Sequence, residues 1–263
     1  MPKEGGFVGL GGGYNSVNLS QNLSAAGVSN VYTGGALVAS GQAGGPASPF
    51  HDNQNTFAPE VQAGYYDHFG NPNQLFGLKF LYKYLGTTST DSHVDSFQVG
   101  SFTSQTAASF VGNVLINSAQ TAINHNMALM AFTGHSFLNS FVYFGAGPTL
   151  FKTKSHLYGA TGFADINGVH ADITGAPTNF SFSKWMWGAA AQIGLAYFFS
   201  PSWFLDFSYT YSITGRYTSN VSGPFSSSTT SGGVTYTDTG TLYASTNQRV
   251  TSQAFSLSIN KSF

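Results

Sequence analysis

The sequence predicts an all-β chain: an antiparallel, up-and-down transmembrane β-barrel of eight strands. Three observations lead there. First, Phe255-Ser-Leu-Ser-Ile-Asn-Lys-Ser-Phe263 alternates apolar and polar residues up to a terminal aromatic. Phe255, Leu257, Ile259 and Phe263 therefore share one face, and Ser256, Ser258, Asn260 and Ser262 the other. Second, charged residues are 7% of the chain and hydrophobic ones 41%, far from the ~25% charge of soluble domains. Third, no run approaches the ~18 apolar residues of a membrane helix, and an aromatic content of 16% argues against disorder. A strand wetted by lipid on one face and by small polar groups on the other needs this pattern.

Eight alternating segments are each long enough to cross a bilayer at a tilt. In order they are 5–18, 56–69, 75–88, 121–135, 141–155, 184–199, 203–217 and 248–263. Short turns join some of them, at Gly70-Asn71-Pro72-Asn73, at 136–140 and at Ser200-Pro201-Ser202. Long Gly-, Ser- and Thr-rich connections near 19–55, 89–120, 156–183 and 218–247 join the others and are expected as solvated, mobile loops of one barrel domain spanning 1–263. Short turns inside and long loops outside are the outer-membrane arrangement, with both termini in the periplasm. The stretches 31–39 and 233–244 carry β-character and are expected to extend the barrel. The segment 97–116 leaves ten strands, or a short helix on the rim, as alternatives.

Alternation also assigns faces. In 203–211, Trp203, Leu205, Phe207, Tyr209 and Tyr211 meet lipid while Asp206, Ser208 and Thr210 point inward. In 185–197, Trp185, Trp187, Ile193, Leu195 and Tyr197 face out, and Ala190, Gln192 and Ala196 face in. Aromatics at strand ends are expected to form the interfacial girdles: Phe69, Phe76, Phe141, Phe198 and Trp203 below, and Tyr84, Trp185 and Tyr211 above. Gly11-Gly12-Gly13 has no following helix to make it a phosphate loop, and is read as relieving crowding in the first strand.

Charges within strands are few. By parity Glu60, Lys79, Lys83 and Asp206 enter the lumen. A turn centred on Asn71-Pro72 places Glu60 across from Lys83, and Asp206 rises from its own turn to about the height of Lys79. Two ion pairs across the lumen are expected, because a buried charge left unpaired costs several kcal/mol. They act as a structural plug, or as a gate if they break and reform.

No cysteine is present, which removes disulfides and thiolate metal sites. A net charge of −1 offers no footprint for nucleic acid. Export requires a leader, so one is expected upstream of Met1. Histidines His51, His93, His156 and His170 fall in the connections, His68 and His135 near turns, and His125 in a strand. A barrel hydrolase needs a nucleophile beside its base; lipid A deacylase-like barrels carry it as His-x-Ser, which does not occur here. His135-Ser136 lie on opposite faces. Asp91, His93 and Asp95 share a spacing but sit at a loop entrance, so they are read as a solvated cluster rather than a weak metal site or a protease-like pair.

Phe141-Val-Tyr-Phe-Gly-Ala-Gly-Pro148 and Pro201-Ser-Trp-Phe-Leu-Asp-Phe-Ser-Tyr-Thr-Tyr211 resemble matching hairpin strands of small outer-membrane barrels, the opacity-protein and OmpA-like transmembrane-domain superfamily. Phe255, Leu257, Ile259 and Phe263 resemble the signal read by the barrel assembly machinery, with Lys261 departing from it. The resemblance implies the bacterial outer membrane, contact with its lipid and lipopolysaccharide, no cofactor, and a non-enzymatic structural or surface role, as in adhesion or host or phage contact through the loops. A small porin or gated channel is the second reading and a lipid-modifying enzyme the third. A soluble lipocalin-like barrel comes last.

Overall fold

The computed structural model describes residues 4–68, 73–104 and 110–263. They form eleven antiparallel strands: β1 (Glu4–Thr33), β2 (Ala36–Pro46), β3 (Phe50–His68), β4 (Gln74–Thr103), β5 (Phe110–Ser136), β6 (Ser140–Ile166), β7 (Val169–Asp172), β8 (Thr178–Ser200), β9 (Trp203–Thr214), β10 (Tyr217–Ser231) and β11 (Val234–Ser262). Eight close a ring in the order β1-β3-β4-β5-β6-β8-β9-β11. The seam is β11 on β1, in register from Phe7↔Ser262 to Thr33↔Tyr236. The other strands stand above one end of the ring. There β2 bridges β1 and β4, β7 pairs with β6, and β10 pairs with β11.

Strand formation follows the alternation. A belt of outward apolar side chains circles the ring, among them Leu10, Phe57, Phe80, Leu129, Phe144, Ile193, Phe207 and Leu257. Exposed apolar surface of this extent is lipid-facing surface. Predicted faces on β8 and β9 are the observed ones: Trp187, Ile193, Leu195, Leu205 and Phe207 are exposed, while Gln192, Ala196, Asp206 and Ser208 are buried. Close packing at the seam explains the glycines of β1. A Cβ on Gly9 would collide with Asn260, and one on Gly13 with the Phe255 carbonyl.

The connections expected as mobile loops are mostly strand. β1 runs past residue 19 to Thr33, and β11 begins at Val234. Turn chemistry makes this possible. Gly34-Gly35 (φ 55° and 84°), Asn167-Gly168 (53° and 78°) and Gly232-Gly233 (57° and 78°) adopt the paired left-handed conformations of two-residue type I′ hairpin turns. Within 97–116 the described residues, 97–104 and 110–116, continue β4 and β5 as one ladder, with Phe97↔Asn113 and Val99↔Val111, so they add no strand to the ring and the ten-strand alternative falls; 105–109 lie outside the described residues. The stretch expected as one strand over 203–217 breaks after Thr214, where Gly215 and Arg216 separate β9 from β10.

Candidate functional site

Inward residues fill the lumen in layers. At the end carrying the short turns, Phe7, Tyr66, Leu75, Phe132, Phe141, Tyr143, Ala196, Phe198 and Phe204 form an aromatic plug. Phe198 and Phe204 have ring centroids 4.8 Å apart, and Phe7 meets Phe204 edge-on at 5.5 Å, the separations at which aromatic pairs attract. Sequence reasoning placed Phe141 and Phe198 in the lipid girdle; they are buried inside instead. Val142 and Phe144 on β6, and Tyr197 and Phe199 on β8, hold the lipid face, and alternation sends their neighbours inward.

Above the plug lies a charged layer. Lys79 Nζ stands 2.8 Å from Asp206 Oδ2 and donates to Tyr143 Oη at 2.6 Å. Tyr143 in turn donates to Asp206 Oδ1 at 2.8 Å, and Gln62 Nε2 to Asp206 Oδ2 at 3.1 Å. Lys83 Nζ lies 3.0 Å from Glu60 Oε2, the two residues being direct partners across the β3–β4 ladder. Ser256 Oγ donates to Glu60 at 2.8 Å and accepts from Lys83 at 3.0 Å. All four ionisable residues are buried, so their mutual pairing is what makes burial tolerable.

An apolar layer of Val17, Leu19, Ala58, Leu85, Ile123, Phe151, Met186 and Val250 follows. Over it sits a neutral polar ring. Gln248 Nε2 donates to Gln21 Oε1 at 2.7 Å and to Ser155 Oγ at 2.9 Å, and Thr121 Oγ1 donates to Gln21 Oε1 at 3.0 Å. At the extended end the lumen becomes apolar again, around Leu23, Val114, Ile116, Leu157, Phe180, Phe225 and Leu242. The sequence reading missed the glutamine ring, Gln62 and Tyr143. The signal for them was present, since each occupies an inward position by the parity that located Lys79 and Asp206.

The remaining predicted residues lie outside the lumen. Phe76 and Trp203 face outward near the short turns, and Tyr84, Trp185 and Tyr211 face outward toward the extended end. Lys152 lies over the Trp185 ring at 4.9 Å, and Tyr82 Oη hydrogen-bonds His125 Nδ1 at 2.9 Å. Phe69 and the turn residues Gly70, Asn71 and Pro72 fall outside the described residues. Phe255, Leu257 and Ile259 are exposed on the outer face of β11, and Phe263 is exposed just past its end. His93 takes φ 59° and leaves the strand register. It makes no hydrogen bond with Asp91 or Asp95 among the described residues, and no three His, Asp or Glu side chains there gather at metal-binding distance.

No protein-family profile and no curated protein matches the chain. Among solved structures it is similar to the attachment invasion locus protein Ail of Yersinia pestis, at 14% identity over 90% of this chain and 98% of that one, with a TM-score of 0.33. Outer membrane protein OprG of Pseudomonas aeruginosa is similar at 10% identity, 98% and 96% coverage and a TM-score of 0.38. Outer membrane protease OmpT of Escherichia coli is similar at 9% identity, 95% and 97% coverage and a TM-score of 0.25. At such identities the similarity reaches no further than fold.

Proposed function

We propose that this outer-membrane-type barrel is a closed anchor whose work is done by its extended end, which meets partners outside the cell. The short turns and both termini would then lie in the periplasm, where the outward aromatic and aliphatic residues at the end of β11 serve the assembly machinery. The lipid belt contacts lipid and lipopolysaccharide. The filled lumen supports an anchor over a pore: ion pairs, aromatic plug and glutamine ring stack along one axis.

One observation carries the reading. β10 has a ladder partner on one side, β11, and among the described residues none on the other. Its neighbour β8 reaches it through side chains rather than a ladder, as Lys184 Nζ does in donating to the Thr218 carbonyl at 2.9 Å, and the upper residues of β10, at 226–231, are largely exposed and are all Ser or Thr. An edge with free N–H and C=O groups accepts an extended segment of another protein as an added strand. Charged side chains blunt such edges. Cells displaying a Ser227→Lys, Thr229→Lys variant are therefore expected to lose adherence to matrix-coated or host-cell surfaces while the barrel keeps its heat-modifiable mobility. Unchanged adherence would refute the edge. Conductance in a planar bilayer, by wild type or by Glu60→Ala, would refute the closed lumen.

A further inference from the structure

Ladder register sets Tyr84, His125, Lys152 and Trp185 in one row on the outer face, across β4, β5, β6 and β8. Each is the direct partner of the next. One bulge, between Tyr84 and Thr87 with Gly86 at φ 60°, lies beside the row, and so does a second, between Ile123 and His125. Bulges re-aim side chains, and here rings converge. His125 lies 5.6 Å from Tyr84 and 6.4 Å from Trp185 between centroids. Lys152 Nζ stands over the Trp185 ring at 4.9 Å.

The flanking rows show what this row separates. One step toward the short turns come Tyr82, Met127, Leu150 and Trp187, which end the apolar belt. One step toward the extended end come Thr88, Ala122, Lys154 and Ser183. These neighbours are small, and Lys154 is exposed among them. The row therefore lies where acyl chains give way to headgroups, the level of interfacial aromatics and snorkelling lysines. Neither Lys152 nor Lys154 forms an ion pair among the described residues, and none of the three rows contains a carboxylate.

Lys152 and Lys154 are two strand steps apart, about 6.8 Å between Cα atoms, so both ammonium groups can reach one anion. A phosphate monoester carries about −1.5 to −2 charges at neutral pH, which two cations match better than they match a singly charged phosphodiester. Tyr82 Oη hydrogen-bonds His125 Nδ1 at 2.9 Å. When that hydroxyl donates, His125 Nε2 carries the ring hydrogen and is a further donor. We infer that this sector binds an outer-leaflet lipid through a phosphate monoester, of the kind borne by the sugar of lipopolysaccharide. Lys152 and Lys154 hold the phosphate while the acyl chains lie against Leu150 and Trp187. The inference rests on the reading that the extended end lies outside the cell.

The test is native mass spectrometry of the full chain released from detergent micelles containing diphosphoryl lipid A. Wild type is expected to retain lipid A, and to prefer it to an equal concentration of phosphatidylglycerol, a phosphodiester. Lys154→Gln should weaken retention at least about tenfold, the worth of one hydrogen bond to a charged group. Adding Lys152→Gln should weaken it further. Lys261→Gln is the control, because Lys261 Nζ lies over the Trp203 ring at 5.8 Å near the short turns and repeats the pairing without the row. It should retain lipid A as wild type does. Equal retention by wild type and Lys154→Gln would overturn the site; so would an equal loss in Lys261→Gln, or no preference over phosphatidylglycerol. Orientation is tested separately. The chain has no cysteine, and Ser231→Cys, exposed at the end of β10, should react with a membrane-impermeant maleimide in intact cells. Labelling only after lysis would overturn the outside reading, whereas labelling in intact cells without lipid A retention would overturn the lipid site alone.

Discussion

Lys83→Met tests whether the charged layer holds the barrel together, and the structure sets the size of the effect. The substitution leaves Glu60 buried, and among the described residues its one remaining hydrogen-bond donor is Ser256 Oγ at 2.8 Å. Removing one partner of a buried pair costs about 3–5 kcal/mol. Lys79→Met is a graded comparison. It leaves Asp206 with Tyr143 Oη at 2.8 Å and Gln62 Nε2 at 3.1 Å, and hydrogen bonds to charged groups are worth about 1.5–3 kcal/mol each. Lys79→Met should therefore fall near the low end of that range and Lys83→Met near the high end. The double variant Glu60→Leu, Lys83→Met removes both charges and should return to within about 1 kcal/mol of wild type. Urea unfolding from liposomes, followed by tryptophan emission and by heat-modifiable mobility, measures all of these. A Lys83→Met loss smaller than that of Lys79→Met, or below about 1 kcal/mol, would refute the reasoning.

Phe204→Ala should cost about 3–5 kcal/mol in the same unfolding assay, because Phe204 is buried against Phe7, Phe141 and Phe198. Asp238 provides a pH dependence at the extended end. Burial holds its carboxyl above the ordinary value of 3.8; the Ser29 hydrogen bond opposes this and Asp172 adds to it. The folded extension thus keeps a proton that the unfolded chain releases. Its stability is greatest below the ordinary value and falls as pH rises through the raised one. Asp238→Asn should flatten that fall and slow amide exchange around 234–242 at neutral pH, as read by hydrogen–deuterium exchange. Identical exchange profiles in variant and wild type across that pH range would remove Asp238 as the cause.

What could be read from the chain was whatever a period of two encodes. The faces of β9 and the Glu60–Lys83 juxtaposition follow from alternation and one turn centre. Alternation was less informative where both faces are aromatic. In Tyr197-Phe198-Phe199 hydrophobicity does not say which ring meets lipid, and the register with β6 decides it. Apart from 31–39 and 233–244, whose β-character extends the barrel as expected, the upper strands were misread as loops because Ser and Thr lie on both of their faces, so apolar contrast vanishes. Asn167-Gly168, Gly34-Gly35 and Gly232-Gly233 were the legible clue, since such pairs mark hairpins. The apolar layer at the extended end had no such local signal. Leu23, Val114, Phe225 and Leu242 are brought together by closure of the sheet, which no local pattern describes.

Closure also bears on how the molecule is made. The seam joins the two ends of the described chain along almost the whole length of β1 and β11, and contacts so distant in sequence form slowly. Every other ladder of the ring joins strands much nearer in sequence and can zip while the sheet is still open. Until the seam forms, β1 and β11 are both bare edges, open to pairing with another copy. A slip of one residue would turn Tyr14 and Leu257 toward the lumen and Asn15 and Ser258 toward lipid, so misregistered closure is self-penalising. The hazard for this protein is therefore the lifetime of the open sheet, and whatever shortens that interval governs its yield more than any strengthening of the finished barrel.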